Sequence, residues 1–367
     1  MSENDLHLPN LTIRRFRGIQ DLSIERLGRV TLIAGKNGVG KTTVLDAVRV
    51  YAARGHYAVL ASILTKREEL VRHFDGYVED PFAPDWEALF YGRRVMPCGP
   101  ITIGPTGSRQ VLSIEVGLLN GEGSDNWAER TPDSISDEDD GILTLRLNKH
   151  EQVVPLNYAE SQLIDRRIAR DVGLAPSIRC ESLGPSVLRN AEIARLWDKV
   201  ALTDDENRTV EALRLVLGEE IERVAVIGDQ GDSSYGRRAV VKVAGQKRPV
   251  PLRSLGDGAV RLFGVALALA NSQGGFLLID EAENGIHHTL QRDFWRMVLL
   301  TAEANNVQVF ATTHSWDCVV GFAQAAVAEE GVEGALVRLD SDGEGIRAVE
   351  YSERQLRVAA EQGIEVR

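Results

Sequence analysis

Short apolar runs punctuated by glycine open the chain. Leu11 to Phe16, Leu22 to Arg26 and Val30 to Ala34 predict three strands, with Gly18 and Gly28 marking the turns between them. Val44, Leu45, Val48 and Tyr51 then recur at helical spacing, which predicts a helix over Lys41 to Arg54 with an apolar stripe for packing on a sheet. From Pro251 the pattern predicts a small-residue loop, a helix over Ala259 to Asn271, a strand over Phe276 to Ile279 and a helix over Thr289 to Glu303. A strand over Val307 to Thr312 and a helix over Trp316 to Glu329 follow. Helices alternating with wholly apolar strands imply a parallel sheet covered on both faces. Ala335 to Leu339 and Ile346 to Tyr351 add two strands joined by an Asp-Gly-Glu-Gly turn, before a short helix.

The stretch between these two parts is mixed. Tyr57 to Phe74, Tyr158 to Asp171, Leu188 to Val200 and Asp205 to Leu217 carry helical patterns. Ile101 to Ile103, Val111 to Leu119, Ile142 to Leu147, Ile221 to Ile227 and Ala239 to Val243 are strand-like. The expected organisation is an α/β core of residues 1–54 and 250–367, interrupted at 55–249 by a helical lobe and an accessory antiparallel sheet. Neither an internal repeat nor a heptad run long enough for a coiled coil is present.

Candidate chemistry sits at the strand ends. Gly35-Lys36-Asn37-Gly38-Val39-Gly40-Lys41-Thr42-Thr43 lies between a predicted strand and a predicted helix, the place a phosphate-binding loop requires. Its glycines let backbone N–H groups turn inward around phosphates, and the helix adds its positive end. The Lys41 ammonium reaches the outer phosphates and the Thr42 hydroxyl can ligate Mg²⁺. The apolar strand at Phe276 delivers Asp280 and Glu281 at its C-terminal end, where ligands sit in open parallel sheets. Asp280 is expected to hold Mg²⁺ directly or through water, and Glu281 to orient or deprotonate an attacking water. The next strand ends in Thr313-His314-Ser315, which places His314 at the same rim, within reach of a γ-phosphate or that water. Ser254-Leu255-Gly256-Asp257-Gly258-Ala259-Val260-Arg261 reads as a capped helix start by itself and, with the rest, as a second phosphate-facing nest.

Composition narrows the class. The formal net charge is −12, so bulk electrostatics repel nucleic acid and any DNA contact needs a local basic patch. Residues 121–140 hold eight acids and one base and read as an exposed mobile loop, leaving −5 for everything else. Cys98, Cys180 and Cys318 lack paired spacing, which indicates neither a disulfide framework nor a cysteine zinc site and fits a reducing cytoplasm. No secretion signal is visible and no apolar run approaches the roughly 18 residues a membrane helix needs, so membrane insertion is not expected.

These motifs together resemble the heads of ABC-type ATPases, in the branch of SMC proteins, the RecF recombination protein and the ATPase domains of OLD-type phage-defence proteins. The likeness covers residues 10–55 and 250–325. Arg15-Phe16-Arg17-Gly18-Ile19 looks like the opening strand and loop of that branch, which places Arg15 among its nucleotide-binding residues. Gly35 to Thr43 matches Walker A and Phe276 to Glu281 matches Walker B. Ser254 to Arg261 occupies the signature position, with Ser254, Gly256 and Gly258 facing nucleotide, Glu283-Asn284-Gly285 falls at the D-loop and His314 at the switch histidine. The resemblance implies a P-loop NTPase of ABC type using ATP and Mg²⁺. It also implies a homodimer or higher oligomer, in which the signature loop of one subunit caps nucleotide held by the other.

The chain departs from that pattern at two places. Aligned on Arg261, the signature has Leu255 where serine is usual and Asp257 where the second glycine is usual, so an Asp257 carboxylate is expected to point away from phosphate or toward a cation. A glutamine loop does not stand out, with Gln110 the nearest candidate. Asn148-Lys149-His150-Glu151 is similar to a guanine-reading motif but ends in Glu, and is read as a solvated strand end, leaving ATP as the expected nucleotide.

Three roles compete. The first is the ATPase of a prokaryotic anti-phage defence system. Because only 53 residues follow His314, a TOPRIM-type nuclease or other effector is expected as a separately encoded partner. The second is a RecF-like repair clamp binding DNA through a surface including Arg14, Arg15, Arg17, Arg237, Arg238 and Lys247. The third, a transporter ATPase subunit, fits least, because Lys41 and Ser254 lie farther apart than in such subunits.

Overall fold

The strands beside the phosphate-loop strand are apolar on both faces because both faces are covered. The computed structural model describes residues 6–72, 82–94, 99–118, 141–155, 177–218, 220–228, 236–329, 331–341, 343, 345–351, 355 and 358. The acidic stretch 121–140, the helix expected over Tyr158 to Asp171, Cys98 and most of the C-terminal helix lie outside them.

In chain order the first strands are β1 (Leu11–Phe16), β2 (Ile19–Ile24), β3 (Val30–Gly35), β4 (Leu70–Arg72), β5 (Phe82–Pro84), β6 (Ile101–Gly104), β7 (Leu112–Leu118), β8 (Gly141–Leu147) and β9 (His150–Pro155). They are followed by β10 (Cys180–Leu183), β11 (Ile221–Ile227), β12 (Arg238–Val243), β13 (Val250–Pro251), β14 (Phe276–Ile279), β15 (Gln308–Thr313), β16 (Gly334–Ser341) and β17 (Ile346–Tyr351). The described α-helices are α1 (Lys41–Ala52), α2 (Tyr57–Lys66), α3 (Asn190–Trp197), α4 (Asp204–Leu217), α5 (Asp257–Asn271), α6 (Gln291–Ala304) and α7 (Trp316–Ala328).

The core sheet has the order β10-β14-β15-β3-β16-β17, parallel except for the antiparallel edge strand β17. β15 lies between β3 and β14. Thr313 pairs with Ala34 and Ala311 with Ile279, so the phosphate loop, the acidic pair and His314 all leave the sheet at one rim. On one face Leu32, Leu277, Ile279, Val309 and Ala311 pack in the cluster formed with α5, α6 and α7. On the other, Ile33, Leu278 and Phe310 pack with α1 and the second sheet.

That second sheet corrects one expectation. Strands β6 to β9 do not form an accessory sheet of their own; they continue the N-terminal hairpin as β2-β1-β6-β7-β8-β9, joined through β1 and β6. The physical reason is α1, which touches β3, β14 and β15 on one side and β1 and β6 on the other. Its buried set therefore exceeds the predicted stripe and includes Ala47, Val50 and Ala52. A helix covered on two sides needs apolar residues over more of its circumference than a surface helix does. A separate three-stranded sheet, β11-β12-β13, packs on α3 and α4.

Local chemistry sets several boundaries. β2 starts at Ile19, before the expected Leu22, because Phe16 pairs with Ile19 across a tight turn in which Arg17 takes φ 55°. The helix expected to reach Phe74 stops at Lys66, since Leu70–Arg72 pairs with Phe82–Pro84. β10 escaped prediction because Cys180-Glu181-Ser182-Leu183 is an edge strand with a polar pattern. Its Glu181 is neutralised by Arg195 at 3.0 Å and Lys199 at 2.9 Å.

The β10–β14 junction depends on Gly275, where an added Cβ would lie 2.1 Å from the Arg179 carbonyl oxygen. Gly275→Ala is expected to lower unfolding free energy by about 1–3 kcal/mol, as overpacking does. Gly18→Ala, where no atom lies within 4 Å of the new Cβ, should change it by less than about 0.5 kcal/mol. Denaturant titration of the two variants checks the difference.

Candidate nucleotide site

The phosphate loop takes conformations that need glycine. Gly38 and Gly40 have φ 77° and 104°, and a side chain on Gly35 would meet the Leu339 carbonyl oxygen at 2.7 Å. Lys36, Asn37 and Gly38 are exposed at the tip, Val39 is buried beneath it, and Gly40 N-caps α1. The first turn of α1 carries neither an acidic side chain nor a side-chain cap, so its free N–H groups remain available to an anion. Lys41 is 8% exposed and donates from Nζ to the Gly35 and Lys36 carbonyls at 2.7 and 2.9 Å. Burial pulls its pKa down, opposed by the carboxylates of Glu283, Asp280 and Glu281.

Asp280 meets α1 across the rim. The Thr42 hydroxyl donates to it at 3.2 Å from each carboxylate oxygen, with Thr43 half-buried in the next helical position. Thr312, fully buried at the end of β15, donates to Asp280 Oδ1 at 2.6 Å and accepts the Glu281 N–H at 2.9 Å. One hydroxyl thus fixes both acids to the neighbouring strand. The Thr42 and Asp280 oxygens are the hard donors a small divalent cation takes. Among the described residues no group of three His, Cys, Asp or Glu side chains gathers to hold a metal unaided.

Glu281 adopts φ 48°, unusual for a residue with a Cβ, and its carboxylate accepts from Asn284 Nδ2 at 2.6 Å. His314 donates its backbone N–H to Glu283 Oε1 at 2.9 Å, and its ring Nδ1 lies 3.0 Å from the same oxygen. Lys41, Thr42, Asp280, Glu281 and His314 are therefore gathered at one rim.

The remaining expected residues lie elsewhere. Ser254, Leu255, Gly256 and Asp257 are exposed, and the Asp257 carboxylate points to Arg253 at 3.5 Å, a cation as expected. α5 starts at Asp257 with Gly256 as its N-cap and without a side-chain cap, so neither Ser254 nor Asp257 caps it. Gly258 packs on the D-loop, where an added Cβ would lie 2.7 Å from the Gly285 carbonyl oxygen. Arg15, at φ 56°, donates to the Pro100 carbonyl at 3.1 Å, beside β6. Gln110 is exposed in the β6–β7 loop, and Asn148 to Glu151 span the β8–β9 turn on the outer part of the second sheet.

Sequence reasoning missed the residues that brace the acids. Arg261 is 1% exposed and donates to the carbonyls of Gly184 at 2.6 Å, Asp280 at 3.0 Å, and Ser186 and Glu281 at 3.3 Å. Burial lowers its pKa against the pull of Asp280, Glu283 and Glu281. The available signal was a lone arginine inside an otherwise apolar helix, which demands polar partners. Thr312, Glu283 and Asn284 carried a weaker one, polar residues trailing apolar strands. Arg261→Ala would strand four carbonyls and is expected to cost about 3 kcal/mol or more of stability, measured by denaturant titration.

Two family descriptions match this architecture. Residues 10–57 match "AAA domain", and residues 189–317 match "AAA domain, putative AbiEii toxin, Type IV TA system". The uncharacterized protein MJECL11 of Methanocaldococcus jannaschii is 34% identical over 115 residues, covering 31% of this chain and 99% of that protein. An ATP/GTP phosphatase of Helicobacter pylori is 21% identical over 343 residues, covering 85% of this chain and 86% of that one. Among solved structures, the SMC head domain from Thermotoga maritima is similar at 14% identity and TM-score 0.44, covering 95% of this chain and 100% of that one. With its phosphate loop and acidic strand brought to one rim of an α/β sheet, the chain is a P-loop ATPase of ABC type and belongs to the family of MJECL11.

Proposed function

We propose that the protein is a Mg²⁺-dependent ATPase whose site is completed by a second copy docked head to tail. We further propose that it supplies the ATPase of a prokaryotic anti-phage defence system acting with a separately encoded effector. The observation that carries the first part is the gathering of Lys41, Thr42, Asp280, Glu281 and His314 at one sheet rim, while Ser254 to Asp257 stand exposed. A signature loop that touches no phosphate loop within its own chain supports completion by a neighbour.

Thr42 and Asp280 fit Mg²⁺, which binds through one or two carboxylates together with phosphate oxygens and water. The metal would neutralise charge on the β- and γ-phosphates. Lys41 exchanges its two carbonyl acceptors for phosphate oxygens. Glu281, once released by Asn284, accepts a proton from the water attacking the γ-phosphorus as the bond to the ADP oxygen breaks. His314 sits beside that line of attack.

The defence role rests on the toxin–antitoxin description that matches residues 189–317. The DNA-clamp alternative draws less support, because its cations are largely spent. Arg14 pairs with Asp21 at 3.1 Å, Arg17 with Glu69 at 2.8 Å and Arg237 with Asp198 at 2.6 Å. Among the described helices none is long and apolar enough to cross a membrane.

Lys41→Ala is expected to abolish ATP binding in calorimetry. Glu281→Gln should keep binding, lose about a hundredfold or more in turnover, and accumulate an ATP-bound dimer by light scattering; wild-type turnover in that variant refutes the role of Glu281. Wild-type turnover per chain should fall on dilution through the dimer dissociation constant, and a rate independent of concentration there refutes a shared site.

A further inference from the structure

We infer that Glu283 is the positioning residue of His314. It holds the neutral imidazole in the tautomer protonated at Nδ1 and leaves Nε2 as the acceptor that faces the reaction. The inference rests on the reading of His314 as part of the nucleotide site and adds which ring nitrogen works there and what selects it.

Three observations carry it. The Glu283 side chain is 10% exposed, and its Oε1 accepts the His314 backbone N–H at 2.9 Å while lying 3.0 Å from ring Nδ1. A carboxylate has no hydrogen to give, so the 3.0 Å contact is a hydrogen bond only if Nδ1 carries the proton. Two bonds to one oxygen, from backbone and ring, fix where the chain leaves β15 and which way the ring turns. The second Glu283 oxygen, Oε2, is buried without a hydrogen-bond partner. Retention of a carboxylate at that cost points to the charge or the shape being used. His314 itself is 44% exposed, so the nitrogen not committed to Glu283 belongs to the open part of the side chain.

The geometry selects among the tasks open to His314. In the neutral Nδ1–H tautomer, Nε2 has a lone pair and no proton, so it accepts a hydrogen bond from water and cannot donate one to a phosphoryl oxygen. His314 thereby orients the attacking water together with Glu281. Glu283 also heads the carboxylates that act on Lys41, ahead of Asp280 and Glu281. Its removal leaves the phosphate loop intact and takes a negative charge away from the triphosphate, so it should not weaken ATP binding.

The test uses the full chain labelled with ¹⁵N-histidine. Long-range proton–nitrogen spectra are recorded at about pH 8.5, where an ordinary imidazole is neutral, and His314 is assigned from the peak lost in His314→Ala. Wild-type protein should show His314 protonated at Nδ1. Glu283→Gln, whose amide carbonyl can accept the same two bonds, should keep that tautomer and most of the turnover. Glu283→Ala should lose the Nδ1 preference and about ten- to hundredfold in kcat, the range for partners that orient a working histidine, with KM for ATP not raised. A wild-type ring protonated at Nε2 overturns the proposal. So does a Glu283→Ala protein with unchanged tautomer and kcat, or one whose loss lies wholly in KM. If His314→Ala hydrolyses ATP at the wild-type rate while the wild-type ring is Nδ1-protonated, the hydrolytic reading of His314 fails and the tautomer assignment stands.

Discussion

A buried ammonium without a bonded counter-ion is the constraint around which this rim is built. Lys41 is almost fully enclosed and its hydrogen bonds go to two loop carbonyls. Three carboxylates act on it from a distance. An enclosed cation costs several kcal/mol unless it is matched, and carbonyl dipoles match it only in part. A triphosphate supplies the missing charge. The helix behind the loop has its first turn free of acids and side-chain caps, so the same anion satisfies the backbone N–H groups and the ammonium together.

The acids opposite are held as firmly as the loop is left open. Thr312 ties Asp280 and the Glu281 backbone to β15, while Arg261 grips the carbonyls of both residues from behind. Glu281 nonetheless sits in a left-handed conformation with its carboxylate engaged by Asn284. Backbone strain maintained by surrounding bonds is the usual mark of a working position. The D-loop therefore governs both groups that would face a water, since Asn284 holds Glu281 and Glu283 holds His314. α5 connects this rim to the exposed signature loop, because Gly258 packs on Gly285 and Arg261, one turn on, reaches Asp280.

Much of the core was legible because buried parallel strands announce themselves. Val30 to Ala34, Phe276 to Ile279 and Val307 to Thr312 are short, wholly apolar and followed at once by polar residues, so strand, rim and chemistry could be read together. What stayed hidden depends on contacts remote in sequence. β10 is polar and is defined only by its parallel pairing with β14. The joining of β6 to β1 follows from α1 filling the space between two sheets, which no local pattern encodes. Arg261 was visible as a residue of the signature, but its four carbonyl partners come from segments distant in the chain. The switch pair was half visible, with His314 marked by its strand and Glu283 unmarked by anything local.

Calorimetric titration of the wild-type chain with Mg²⁺–ATP and, separately, with adenosine tests most directly whether the phosphates are what this rim grips. Charge-assisted hydrogen bonds of about 1.5–3 kcal/mol each from Lys41 and the loop predict Mg²⁺–ATP binding one per chain and at least about a thousandfold tighter than adenosine. Adenosine binding within about tenfold of Mg²⁺–ATP would contradict the account, because recognition would then lie with the base and ribose and leave the enclosed ammonium unexplained.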